Sequence, residues 1–146
     1  MSAPTGTYRG RVEWVDTDAA GIYHNTAVAR YVEAAEAELM RRLGLPGYFP
    51  AAPRVRYEVS FEAPLRFGDE LVATVSVARI GRTSMTFDFE VWRDGDDLPS
   101  VRAAHGRYVT VHLGGPEARP EPWPEGWLAA LGEDGESGGG APATGS

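Results

Sequence analysis

The chain predicts an α+β domain, an antiparallel sheet packed on one long helix. Three observations carry this. Only one extended helical pattern occurs, near the N-terminus. Alternating apolar patterns precede it once and follow it four times. The later strands are joined by turns too short for crossover helices, so their pairing is antiparallel rather than the regular βαβα of a doubly wound sheet.

The elements follow in order. Residues 8–15 (YRGRVEWV) place Tyr8, Val12 and Trp14 on one parity and read as a strand. From Thr26 the period changes: Val28, Tyr31, Val32, Ala35, Leu39 and Leu43 recur at helical spacing among Ala and Glu. Gly44 and then Leu45-Pro46 stop that helix. Residues 47–53 (GYFPAAP) form a Pro/Gly connector. Four strands are expected after it, at 54–63, 70–80, 84–93 and 101–113. Their inward sets are Val55, Tyr57, Val59 and Phe61; then Leu71, Ala73, Val75 and Val77; then Met85, Phe87, Phe89 and Val91; then Val101, Ala103, Val109 and Val111. Gly106 marks a bulge or a close approach in the last of them. FGDE (67–70), IGRT (80–83) and DGDDLP (94–99) supply the turns. Pro124 opens a short helix carrying Trp127, Leu128 and Leu131 onto the core. One domain over 1–131 and a flexible Gly-rich tail over 132–146 are expected.

Composition removes several kinds of chemistry. There is no Cys, hence no disulfide, thiol nucleophile or thiolate metal site. His24, His105 and His112 lack paired metal-ligand spacing, so no metal is expected. All 14 basic residues are Arg, which leaves no lysine for a Schiff base or a phosphate clamp. The net charge is −7, and Glu133, Asp134 and Glu136 carry three of those charges in the tail, so no nucleic-acid partner is expected. No apolar run approaches a membrane span, and the N-terminus has no apolar signal region. The expected location is the cytoplasm, with no membrane contact.

The densest chemistry lies in WVDTDAAGIYHN, residues 14–25. A calcium loop beginning at Asp16 fails, because Ala20 and Ala27 occupy its fifth and twelfth positions. A phosphatase nucleophile loop lacks the usual lysine and the right element order. The GESGG string at 135–139 resembles a nucleophile elbow but has no strand before it. As a plain loop, Asp16 and Asp18 would make an Asx turn, and His24 or Asn25 would cap the helix. As a site, a carboxylate would stand beside the unpaired N–H groups at the helix's positive end. Those N–H groups can polarise a carbonyl while the carboxylate activates water or attacks directly.

The string DTDAAGIYHNTAVARYVEAAEAELMRRLGL resembles the N-terminal signature of hotdog-fold acyl-CoA thioesterases of the 4-hydroxybenzoyl-CoA thioesterase type. Arg30, Tyr31 and Glu33 match the helical part without gaps, and Pro64, Gly68, Asp69, Gly81 and Ser84 sit at typical places in the middle strands. The resemblance spans about residues 8–131. It implies a hotdog fold, a sheet wrapped around one long central helix. It also implies homodimers, often dimers of dimers forming a homotetramer, with active sites at the subunit interface.

The resemblance further implies which residues act. Asp18 matches the catalytic carboxylate, and Asn25 carries the N–H that polarises the thioester carbonyl. Gly21 lets the thioester approach the backbone, and Tyr23 and His24 shape the acyl pocket. Arg82, at the turn that also holds Ser84, matches the contact to CoA phosphates. Asp16 is a structural turn residue. The implied reaction is hydrolysis of an acyl- or aroyl-CoA, or of an acyl group on a phosphopantetheine arm of a carrier protein, with no cofactor. A hydratase or dehydratase acting on acyl thioesters, or a non-catalytic module that binds them, are the alternatives. A hydratase usually needs a His paired with an acid along the helix, and His24 precedes the helix without such a partner.

Overall fold

The computed structural model describes residues 3–95 and 98–137. In it, β1 (Thr5–Arg11) leads through a 3-10 turn (Trp14–Asp16) to α1 (Asn25–Arg42). A four-residue helix, α2 (Tyr48–Ala51), precedes β2 (Arg54–Phe61). Then come β3 (Glu70–Ile80), β4 (Ser84–Gly95) and β5 (Leu98–Val111). A small hairpin of β6 (Leu113–Gly114) and β7 (Arg119–Pro120) is followed by α3 (Glu125–Ser137). The five long strands form one antiparallel sheet in the order β1-β3-β4-β5-β2. The long helix lies on one face of that sheet, the α+β hotdog arrangement. No helix among the described residues is long and apolar enough to cross a membrane.

α1 buries Val28, Tyr31, Val32, Ala35 and Leu39, the stripe its periodicity predicts. It packs chiefly on β1, β3 and β4. Its C-terminus closes with Gly44 N–H on the Arg41 carbonyl (3.1 Å) and Leu45 N–H on the Met40 carbonyl (2.9 Å), which satisfies carbonyls the helix would otherwise orphan. From the sheet, Leu71, Ala73, Val75, Met85, Phe87, Phe89 and Val91 enter the same core. Gly106 proves to be a close approach rather than a bulge. A Cβ there would lie 2.0 Å from the Glu58 backbone oxygen and 2.7 Å from Phe89 Cζ.

Several expectations shift. The first strand begins at Thr5 and ends at Arg11, because the next residues coil tightly. Glu13 N–H donates to Asp16 Oδ2 (2.8 Å) and Asp16 N–H to the Glu13 carbonyl (2.9 Å), and this box turns Trp14 outward, 68% exposed. The connector at 47–53 holds α2, whose Pro50 falls where a helix start has no N–H bond to lose. β2 is an edge strand, so its inward apolar set is only partly covered: Val55 is 61% and Phe61 43% exposed. α3 runs through Ser137, six residues into the segment expected as tail from 132. The rest of that segment lies outside the described residues.

Candidate active site

The loop between β1 and α1 is a small hairpin. Asp18 N–H donates to the Ile22 carbonyl (2.9 Å), Thr17 bridges Tyr23, and His24 N–H donates to the Asp16 carbonyl (2.7 Å). Asp18 thus stands at the tip, and Asn25 lies just past the base as the first residue of α1. Gly21 turns the tip with φ +78, a conformation costly for other residues. A Cβ there would meet nothing within 4 Å, so conformation, not crowding inside the chain, explains the glycine.

Asp18 is exposed. Its Oδ1 accepts the Ala20 N–H (2.8 Å), an Asx turn, while Oδ2 has no hydrogen-bond partner among the described residues. At the helix start, Ala27 N–H reaches the His24 carbonyl (3.0 Å). The Asn25 and Thr26 N–H groups have no partner among the described residues, and no side chain caps the helix. His24, in the cap position, is exposed. The two descriptions of this loop therefore coexist: the Asx turn forms, and a free carboxylate oxygen and an open helix N-terminus remain.

What holds the hairpin is the other aspartate. Asp16 is 3% exposed and accepts from Glu13 N–H (2.8 Å), from Tyr31 Oη (3.0 Å) and from the Arg30 guanidinium. Burial alone would raise its pKa, but the Glu13 N–H, Arg30 and Tyr31 outweigh it and hold the carboxyl below its ordinary 3.8. Arg30 and Tyr31 are one turn into α1, so this carboxylate ties the hairpin to the helix whose N-terminus it flanks. Sequence reasoning placed Asp16 as a structural residue without finding these partners. An Arg-Tyr pair one turn into the helix after an Asp-x-Asp loop is the signal that would have found them.

Tyr23 is buried and braces the other side. Its N–H donates to the Leu65 carbonyl (2.9 Å) and its hydroxyl to the Ala63 and Ala103 carbonyls (3.1 and 3.2 Å). Its ring meets Phe61 edge-on at 6.0 Å. Burial, with Tyr57 nearby, pushes the Tyr23 hydroxyl up to about 12.

Arg82 and Ser84 are elsewhere. They occupy the β3–β4 turn, at the opposite end of the sheet from the β2–β3 loop against which the hairpin packs. β3 spans 11 residues between those ends, roughly 35 Å at about 3.3 Å per residue. Arg82 is exposed and its carbonyl accepts the Trp123 N–H (3.2 Å). The Ser84 carbonyl accepts from Trp123 Nε1 (3.0 Å) and Gly81 N–H (2.8 Å). One chain thus brings together Asp18, Gly21, Tyr23, His24 and Asn25, but not Arg82 or Ser84. No cluster of three His, Asp or Glu among the described residues is arranged to hold a metal ion.

Known proteins share this architecture. A 1,4-dihydroxy-2-naphthoyl-CoA hydrolase of Thermosynechococcus vestitus is 25% identical over 138 residues, covering 90% of this chain and 93% of its own. A thioesterase from Thermus thermophilus, solved with coenzyme A and zinc, superposes with TM-score 0.78 at 27% identity, covering 92% of this chain and 97% of that one. The 4-hydroxybenzoyl-CoA thioesterase of a Pseudomonas species has the same fold, with TM-score 0.78 at 21% identity over 88% of this chain and 99% of that one. The Thioesterase superfamily model matches residues 20–100, more than half the chain, beginning two residues past Asp18 and including the helix start and most of the sheet; the chain belongs to that family of thioester hydrolases.

Proposed function

We propose that the chain hydrolyses an acyl- or aroyl-CoA thioester, or one on a phosphopantetheine arm, with Asp18 as the acting carboxylate and the Asn25 N–H as the oxyanion donor. The observation that carries this reading is the open start of α1: an N–H at the helix's positive end that is unpaired among the described residues, flanked by a hairpin that presents a carboxylate oxygen likewise without a partner among them. The thioester carbonyl oxygen accepts from Asn25, which draws electron density off the carbonyl carbon. Asp18 then attacks that carbon or removes a proton from the water that does. The carbon–sulfur bond breaks and the thiolate leaves and takes up a proton; where water attacked, the free acid remains, and where Asp18 attacked, water then cleaves the mixed anhydride to the free acid and the regenerated carboxylate. Hydrolysis transfers no electrons, so the proposal involves no redox cofactor.

A homodimer completes the site in this proposal. β2 has a free edge and runs from the Arg82 end of the sheet to the Asp18 end. Pairing it antiparallel with the same strand of a second copy brings the partner's Arg82 end level with this chain's hairpin. Arg82 then lies within reach of the CoA phosphates of a thioester bound at the partner's hairpin. The partly bare Val55 and Phe61 favour covering that edge.

The test is a panel of acyl-CoAs with free-thiol detection, on wild type and Asp18→Asn. Asparagine keeps the acceptor for Ala20 N–H, so the turn survives. The kcat should fall roughly 10²- to 10⁴-fold, the range for losing a catalytic acid–base group. Equal rates would sink the assignment. Single turnover in oxygen-18 water separates attack by Asp18 from attack by water: label in the Asp18 carboxylate arises only when water opens an anhydride at the protein carbonyl, whereas direct attack by water labels the product acid alone.

A further inference from the structure

A third segment joins the two arms of the Asp18 hairpin. Tyr23 N–H donates to the Leu65 carbonyl (2.9 Å) and Phe67 N–H to the Gly21 carbonyl (3.2 Å), so Ile22 and Arg66 stand directly opposite each other. On the other side, Thr17 faces Tyr23, and Asp18 N–H donates to the Ile22 carbonyl (2.9 Å). The result is a three-stranded ribbon. Cross-strand neighbours share a face, and successive residues alternate between faces. Thr17, Tyr23 and Leu65 make one row, and all three are buried. Asp18, Ile22 and Arg66 make the next row, on the opposite, outward face. Asp18 and Arg66 are exposed, and Ile22 between them is half-buried. The pair spacings, about 5.5 Å and about 4.5 Å, put the Asp18 and Arg66 Cα atoms roughly 10 Å apart.

Arg66 is fixed in place but its side chain is unused. Its N–H donates to Asp69 Oδ2 (2.8 Å) and its carbonyl accepts the Asp69 N–H (2.9 Å), which sets the backbone of the turn. Its guanidinium has no hydrogen bond or ion pair among the described residues. Nine other arginines of this acidic chain do pair with an Asp or Glu, so a bare guanidinium is in the minority, and this one stands beside the reacting carboxylate.

The row thus offers a carboxylate, an apolar floor, and a fork of N–H donors with no acceptor. Its complement is a chain with a reactive carbonyl at one end, methylenes between, and an anion at the other. A carbonyl carbon about 3 Å from Asp18 and a carboxylate about 3 Å from the guanidinium leave roughly 4–6 Å between the ends of the acyl group. That is the span of about four to six carbons at about 1.5 Å per bond. A neutral amide carbonyl of the pantetheine arm is the competing acceptor, but a charge-assisted contact to a carboxylate is roughly twice as strong.

We propose that Arg66 is a specificity-determining residue that binds a carboxylate at the far end of the acyl group, so that the preferred substrate is the mono-thioester of a short dicarboxylic acid. The proposal rests on the thioesterase reading above and narrows it.

The test compares adipyl-CoA with hexanoyl-CoA on the full chain. Their acyl groups differ only in whether the last carbon is a carboxylate or a methyl. Wild type should show a kcat/KM about tenfold higher for adipyl-CoA. Arg66→Met, which keeps the length and removes the donors, should lower adipyl-CoA turnover about tenfold and leave hexanoyl-CoA within about twofold. Arg66→Lys, a charge without the fork, should fall between. Arg66→Met should melt with wild type, because the guanidinium bonds nothing in the described fold. No preference in wild type would overturn the proposal. So would equal losses on both substrates, which would place Arg66 on the arm they share. Ketone analogues of the two, with a methylene between sulfur and carbonyl, resist hydrolysis and are titrated calorimetrically in parallel. Binding of neither would also overturn it. Tighter binding of the carboxylate analogue without turnover of either thioester would fault the thioesterase reading and leave Arg66 in its role, and turnover without preference would do the reverse.

Discussion

Replacing Asp16 with alanine should unpin the hairpin that carries Asp18 from α1, at a cost that can be worked group by group. Tyr31 is fully buried, and its hydroxyl donates to the Asp16 carboxylate at 3.0 Å. Leaving it unpaired costs about 2 kcal/mol. The Glu13 N–H loses its cap acceptor at 2.8 Å, about 1 kcal/mol. Arg30 is half exposed, so solvent screening limits its share to about 0.5 kcal/mol. The total is about 3.5 kcal/mol, or roughly 10 °C in Tm for a domain of this size. Urea unfolding followed by tryptophan fluorescence reads it directly. Tyr31→Phe in the Asp16→Ala background removes the stranded hydroxyl, so the double variant should lose about 1–2 kcal/mol less than the two single losses together. Acid adds an independent check. The folded pKa of Asp16 lies below 3.8, so its contribution is full above that value and is lost as pH falls through the lower folded value. Asp16→Ala should therefore lose less stability than wild type on acidification below about pH 4. A single-variant loss under about 1 kcal/mol, or strict additivity in the double variant, would refute this account of the hairpin.

Two further outcomes follow from the packing. Gly106→Ala should destabilise by about 3 kcal/mol, at the upper end for overpacking, because its Cβ would lie 2.0 Å from a backbone oxygen that cannot retreat without breaking the β2–β5 ladder; chemical denaturation measures it, and a neutral variant would contradict the strand geometry. Glu36, 1% exposed, accepts from Tyr48 Oη (2.7 Å) and Arg54 Nη2 (2.6 Å), and Glu36→Ala should cost about 3 kcal/mol by leaving the largely buried Arg54 charge with only Glu33 and Tyr48 Oη with only Thr110 Oγ1, with a smaller loss for Glu36→Gln, which keeps an acceptor; thermal melting of the pair decides.

The helix and the sheet were visible in the order of residues because both are periodic. The apolar stripe of α1 and the alternation in β3 and β4 repeat over many residues, so local pattern and tertiary burial agree. Turn positions followed from Gly, Asp and Pro for the same local reason. Asp18 could be singled out because its neighbours in sequence are also its neighbours in the site: the hairpin and the helix start are one continuous segment. Where local pattern failed, a distant contact had intervened. Trp14 has a strand parity, yet the Glu13–Asp16 box rotates it into solvent. Val55 alternates like a core residue, yet lies on an edge strand, while α1 packs chiefly on β1, β3 and β4.

The separation of Arg82 from Asp18 belongs to the fold alone. Both lie at ends of strands or helices, but nothing in the string says which ends coincide until the register of β3 against β1 and β4 is set. Antiparallel pairing then sends the two to opposite ends of the sheet. The same holds for Tyr57, whose alternation marks it as inward but cannot say that its buried hydroxyl finds no partner among the described residues. Periodicity reports which face a residue turns to, because that depends on the backbone around it. Whether a polar atom on that face is satisfied depends on residues far away in the chain, and only packing brings those together.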